Sequence, residues 1–258
     1  MGHLMKCEEC GRELDRKTAE KINEIRTFFP NHHTPARCPQ CQFKAEREAE
    51  KKREETEEAE YQARVPELIA DAGIPDGYRY RRDNGLSTVE GGPIVEHAAS
   101  WVWDHRRDNL LLSGKTGMGK STSACYAAMR LIAEHKRVRY IKLQRLLCEW
   151  SEARKNDSVH GEQEFFGRFR RLDLLILDEV VGKTKDTDSR REMMIELLDE
   201  IASGEIKMRL WMLGNYRTNS IDALFGEENR EPSRRRIEEN FVCAGITENS
   251  VEVFHVWP

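Results

Sequence analysis

The chain has 258 residues, enough for one α/β domain and a small appended module, since domains commonly run about 100 to 200 residues. Hydrophobic residues make up 38% and charged residues 34%, a balance that sets aside part of the chain as a solvated, charge-rich segment. The net charge of -4 gives no global pull toward nucleic acid, and no apolar run approaches the roughly 18 to 20 residues of a membrane span.

The first residues turn charged too early for a signal peptide, and Lys6 stands where a myristoylation signal needs Ser or Thr. The expectation is a soluble, cytoplasmic protein. Four of the seven cysteines form two Cys-x-x-Cys pairs, Cys7/Cys10 and Cys38/Cys41, which in a reducing compartment reads as metal binding rather than a disulfide framework. Four thiolates satisfy a closed tetrahedral zinc site. The 27 residues between the pairs exceed the usual ribbon spacing, which predicts a helical insertion around Thr18 to Phe28. His32 and His33 are alternative ligands, and a redox role for the pairs is a further alternative. Residues 1–43 are therefore expected to be a small zinc-binding module whose folding free energy comes largely from the metal.

Residues 44–64 are a charge run without Gly or Pro. Glu48/Lys52, Lys51/Glu55 and Arg53/Glu57 sit at i,i+4 spacing, each such pair being worth about 0.2 to 0.5 kcal/mol. With no apolar stripe to bury, the segment reads as a solvated helical linker rather than a coiled coil.

From residue 65 onward apolar strand-like runs alternate with amphipathic stretches. Asn109 to Ser113, Val138 to Leu143, Leu174 to Asp178 and Arg209 to Gly214 are the strands; Cys125, Ala128, Met129 and Ile132 mark one helix face, and Met194, Leu197, Leu198 and Ile201 another. This predicts an α/β fold, a parallel sheet covered by helices on both faces. Cys125, Cys148 and Cys243 read as small core residues, and Trp101 and Trp103 as packing.

Between the first strand and its helix lies Gly114-Lys115-Thr116-Gly117-Met118-Gly119-Lys120-Ser121, with Thr122 following. It fits G-x-x-x-x-G-K-[ST] in the strand–loop–helix context that makes the motif credible. The glycines let backbone amides face phosphate, Lys120 neutralises the terminal phosphates, and Ser121 offers a hydroxyl to magnesium at a helix N-terminus. Asp178 and Glu179 end a later apolar strand. The first carboxylate suits Mg2+, the second the attacking water, so the chain is expected to hydrolyse ATP to ADP and phosphate.

An Asp-Glu pair together with a polar residue, Asn215, ending the next strand resembles the AAA+ ATPases, in which that residue is a sensor of the γ-phosphate. Ala72-Gly73-Ile74-Pro75 and Arg234-Arg235-Arg236-Ile237 resemble more closely the bacterial replicative helicase loaders of the DnaC and DnaI type, with their relative, the transposition ATPase IstB. That resemblance covers about residues 65 to 245. It implies an AAA+ P-loop core over 65–258, an oligomer in which Arg236 completes the neighbouring subunit's site, with Arg230 and Arg234 as alternatives, and an N-terminal zinc module that docks on the hexameric replicative helicase or binds DNA. Two departures stand out: 22 residues after Arg236 are too few for a helical lid, and Asn240 stands where another arginine is expected.

Basic and aromatic residues interleave at Tyr78 to Arg82 and at Phe165 to Arg171. Arg168 and Arg170 are candidates for single-stranded DNA, although Phe165, Phe166 and Phe169 also fit a core stripe. The resemblance implies a loader of the replicative helicase onto single-stranded DNA, in a bacterial cell or encoded by a phage. The alternatives are an IstB-like ATPase acting on duplex DNA in transposition and a nucleotide-bound adaptor without useful turnover.

Overall fold

The computed structural model describes residues 5–29, 34–83, 92–156, 158–180, 188–215 and 230–254. The chain divides into two compact units, Met1–Arg64 and Val65–Pro258.

In the first unit α1 (Arg16–Phe28) starts at Asp15, whose carboxylate accepts the Thr18 N–H at 3.0 Å and so satisfies an amide that the helix start leaves unbonded. Ile22 of α1 packs with Leu14, Ala36, Cys7 and Cys38 in a miniature core. The helix α2 (Pro39–Asp71) opens on proline, whose missing N–H costs nothing at a first helical position. Its middle is exposed on all sides, and its pairs Lys44/Glu48 and Lys51/Glu55, at 3.8 and 3.6 Å, are solvated. Only its last residues, Val65 and Ile69, are buried.

The second unit begins with those residues. Gly73 closes α2 in the left-handed region, φ 80°, and bonds back to the Ala70 carbonyl, the conformation glycine adopts most cheaply. After α3 (Asp76–Asp83) and α4 (Gly92–Asp104) come β1 (Asn109–Ser113), α5 (Lys120–Ala133), β2 (Val138–Lys142), α6 (Leu143–Asn156), α7 (Ser158–Phe169), β3 (Leu174–Asp178), α8 (Asp188–Ala202), β4 (Arg209–Gly214), α9 (Arg230–Asn240), β5 (Phe241–Ile246) and β6 (Val251–Val253). They build a sheet of order β2-β3-β4-β1-β5-β6, parallel except for the β5/β6 pair.

Residues alternate between the two faces of each strand. Leu111, Ile141, Leu175, Leu177, Leu210 and Met212 meet Leu146 and Trp150 of α6, Phe165 and Phe169 of α7, and Met194 and Leu197 of α8 in one cluster. On the other face α5 packs against β2 and β4 and is itself backed by α4. Phe165, Phe166 and Phe169 are thus core, their rings 5.2 to 6.2 Å apart, and none presents a face to a nucleic acid base. Cys125 and Cys243 are buried as expected, but Cys148 is exposed. The inward stripe of α6 is Leu143, Leu146 and Trp150, and Cys148 lies off it. Arg106 and Arg130 both stack on Trp103, at 4.5 and 3.6 Å from the ring centre.

A Cβ at Gly73 would lie 2.6 Å from the Tyr140 carbonyl oxygen of β2. Gly73→Ala therefore combines a left-handed backbone with a backbone collision and is expected to destabilise the second unit by more than about 1 kcal/mol. All five tryptophans lie beyond residue 65, so their fluorescence in a urea titration reports this unit.

Candidate functional site

The C-terminal ends of β1, β3 and β4 are adjacent in the sheet, the edge at which parallel α/β sheets hold ligands. The loop after β1 rises through Gly114, Gly117 and Gly119, all at positive φ, and Gly119 is the left-handed N-cap of α5. A side chain at Gly114 would strike the Ile246 carbonyl oxygen at 2.5 Å, and one at Gly119 would strike Val95 at 2.6 Å. These two glycines are therefore demanded by close approach as well as by backbone angle.

Lys120, first residue of α5, is only 7% exposed. Its ammonium donates to the carbonyls of Gly114 and Lys115, at 2.6 and 2.8 Å, and to Asn215 Oδ1 at 3.0 Å. Burial moves it below the ordinary lysine pKa, and the Asp178 charge partly restores it. A buried cation whose bonded acceptors are neutral oxygens, at the positive end of a helix, fits a polyphosphate anion. Ser121, half-buried, and Thr122, buried, continue the same turn, while Lys115, Thr116 and Gly117 are exposed and Met118 half-buried. Asn215 spans the site, its amide donating to Thr116 Oγ1 at 3.0 Å while its oxygen accepts from Lys120.

Asp178 is buried at the end of β3. One carboxylate oxygen accepts the Glu179 N–H at 2.8 Å, and the other accepts the hydroxyl of Tyr140 from β2. Glu179 takes a left-handed φ of 56°, rare for a residue with a side chain and concentrated at functional sites. Its exposed carboxylate meets Lys142 Nζ at 2.7 Å, and this bond raises the Lys142 pKa. Tyr140 and Lys142 carried no motif in the sequence. They reach the site because β2 lies beside β3 in register, with Tyr140 opposite Ile176 and Lys142 opposite Asp178.

The remaining candidates lie elsewhere. Arg236 of α9 is paired with Asp199 of α8 within its own chain. Arg235 meets Glu239, and the side chain of Arg230 lies outside the described residues. Arg168 is paired with Glu164, and Arg170 with Glu200 and Glu205. Asn240 donates to the Arg236 carbonyl at 2.8 Å, and its own carbonyl accepts from Asn109 at 3.1 Å, so it ties the end of α9 to β1. After α9 the chain forms the β5/β6 hairpin beside the phosphate loop: Ile246 abuts Gly114, and Glu248 lies 3.8 Å from Lys115.

In the first unit the sulfur atoms of Cys7, Cys10, Cys38 and Cys41 lie within 4.8 Å of one another. Cys10 and Cys38 are 3.7 Å apart, close to the separation of about 3.8 Å that tetrahedral bonds of about 2.3 Å to zinc require. The Cys7 thiol is lowered to about 6, chiefly by the Cys10 backbone N–H, and Cys38 is lowered chiefly by that of Cys41. Each Cys-x-x-Cys turn thus aims an amide at its first sulfur and favours thiolate. Neighbouring thiols push Cys41 the other way. The cluster is compatible with zinc. His32 and His33 lie outside the described residues.

A protein-family model of IstB-like ATP-binding proteins matches residues 45–206. The chain is 25% identical over 184 residues to an insertion sequence ATP-binding protein of Sinorhizobium fredii, covering 63% of this chain and 71% of that protein. It is 30% identical over 112 residues to the insertion sequence IS1162 ATP-binding protein of Pseudomonas fluorescens, covering 42% of this chain and 46% of that one. Of solved structures, the DnaC helicase loader superposes with a TM-score of 0.50 at 13% identity, over 64% of this chain and 96% of the loader, a likeness of fold. No helix among the described residues is long and apolar enough to cross a membrane. A glycine loop closing on a buried lysine, an acidic strand end beside it and a family match over more than half of the chain lead to one conclusion: the chain belongs to the IstB-like ATP-binding family and is an AAA+ P-loop ATPase.

Proposed function

We propose that this ATPase loads a replicative DNA helicase onto single-stranded DNA and uses ATP as the switch. The observation that carries the reading is the joining, in one chain, of a P-loop ATPase unit and a separate four-cysteine unit. The first would supply the switch, the second a docking surface for the helicase.

In the ATPase unit the phosphates of ATP would rest against the α5 N-terminus and Lys120, whose ammonium would exchange its carbonyl partners for phosphate oxygens. Ser121 and Asp178 would hold Mg2+, which when bound neutralises phosphate charge. Glu179 would orient water and accept its proton once its bond to Lys142 opens. Asn215, already bonded to Lys120 and Thr116, would report the γ-phosphate through the same amide. Arg236 is assigned to complete the site of a neighbouring subunit in an oligomer, a role that requires its pair with Asp199 to open. Cys7, Cys10, Cys38 and Cys41 would hold zinc. Arg168 and Arg170 remain proposed DNA contacts through their charge alone.

A second reading, an ATPase that acts on duplex DNA in transposition, is favoured by the insertion sequence relatives. The chain spans 71% and 46% of the lengths of these two proteins.

Four outcomes test these assignments. Lys120→Ala is expected to weaken ATP binding about 10- to 100-fold, bonds to a charged group being worth about 1.5 to 3 kcal/mol. Glu179→Gln should instead keep binding and lose hydrolysis by about 10²- to 10⁴-fold, the usual contribution of a general base; fluorescence titration and phosphate release separate the two. Metal analysis should find one zinc per chain, reduced in Cys10→Ser with ATP affinity unchanged. Finally, size exclusion with the replicative helicase and ATP should give co-elution that Cys10→Ser weakens, with hydrolysis stimulated by single strands. Stimulation by duplex alone, without co-elution, would transfer the assignment to the transposition reading.

A further inference from the structure

Asp178 ends β3 with both carboxylate oxygens engaged. Oδ1 accepts the N–H of the next residue, Glu179, at 2.8 Å, and Oδ2 accepts the hydroxyl of Tyr140. The first bond is local to the strand end and follows from sequence adjacency. The second comes from a different strand and is built into the sheet. Tyr140 is itself buried, and its hydroxyl is the donor in this bond.

The phenol has little freedom to move. Its backbone N–H donates to the Ala72 carbonyl at 2.7 Å. Its carbonyl oxygen lies against Gly73 so closely that a Cβ there would approach to 2.6 Å. Its ring meets the edge of Tyr78 at a centroid distance of 6.4 Å. A carboxylate held from opposite sides by a fixed amide and a fixed hydroxyl cannot rotate about its Cβ–Cγ bond, and the lone pairs left over point in a set direction.

We propose that Tyr140 is a positioning residue for metal binding: its hydroxyl orients the Asp178 carboxylate that receives Mg2+ with the nucleotide. The inference rests on the reading of Asp178 as the Mg2+ carboxylate and goes beyond it, since Tyr140 belongs to neither the phosphate loop nor the acidic pair. Partners that hydrogen-bond a ligating group set its orientation and basicity, and their removal typically costs about 10- to 100-fold in metal affinity or activity.

Tyr140→Phe keeps the ring against Tyr78 and removes only the hydroxyl. The full chain is titrated with a fluorescent, non-hydrolysable ATP analogue across a range of Mg2+ concentrations, beside Asp178→Asn and the parent. The expected result is unchanged analogue affinity without Mg2+, and a midpoint for the Mg2+-dependent gain that rises about 10-fold or more in Tyr140→Phe. The Mg2+ concentration for half-maximal hydrolysis should rise in parallel. A folded Tyr140→Phe with the parent's Mg2+ midpoint, while Asp178→Asn loses the Mg2+ response, overturns the proposal and leaves the site reading standing. If Asp178→Asn also responds like the parent, the site reading itself falls. Should Tyr140→Phe fail to fold, 3-fluorotyrosine placed at position 140 replaces it. Its fluorine resonance should shift when Mg2+ joins the analogue complex, and an unmoved resonance overturns the proposal.

Discussion

A buried ammonium is the constraint around which the second unit is organised. Lys120 has lost most of its water, and desolvating a charge is costly unless other groups replace the solvent. The oxygens that do so come from Gly114, Lys115 and Asn215, that is, from the loop after β1 and from the end of β4. The loop can fold over the lysine only because Gly114 and Gly119 admit the backbones and side chains pressed against them. The β4 contribution requires β4 to lie beside β1, a pairing held in register from Leu110/Trp211 to Ser113/Gly214. Lysine, glycine loop and strand order therefore depend on one another.

The same logic extends outward to β3 and β2. Asp178 acts on Lys120 electrostatically and is held by Tyr140, and Tyr140 is bonded in turn to the segment that follows α2. Lys120 finds its partners in its own loop and at the end of β4, and Asp178 finds one at its own strand end and one on β2. Such a network is stiff, and stiffness suits an ATP-binding site. Glu179 and Lys142 stand apart from it: both are more than half exposed, so their bond is solvent-screened and easily exchanged. The site thus combines buried groups held by several hydrogen bonds with an exposed pair free to rearrange. The four-cysteine unit solves its own folding problem differently. Its apolar core is a handful of residues, and four thiols at metal-binding separation complement it.

Much of this was legible in the chain itself. β1, β3 and β4 follow the apolar runs residue for residue, because strands buried on both faces are apolar between their ends, and β2 ends one residue earlier than its run. The phosphate loop was legible because its chemistry is contiguous, and the cysteines because Cys-x-x-Cys is a local chelate. Cys148 misled because a small apolar side chain off a helix stripe looks like one on it. β5 and β6 escaped notice because Phe241 to Ile246 contains a glycine and β6 spans only three residues.

The sequence by itself determined a P-loop ATPase with a parallel sheet, a four-cysteine unit and a charged helix, since each is written in residues close together in the chain. Only the tertiary structure decided what surrounds those groups: Tyr140 on Asp178, Lys142 on Glu179, Asn215 on Lys120, Asp199 on Arg236 and the β5/β6 hairpin beside the phosphate loop. These partners are brought together by strand order and register and by the packing of helices, across separations in which no local spacing is preserved. A hydrogen bond between neighbouring strands leaves no periodic trace in the chain, so it becomes visible only once the sheet is assembled.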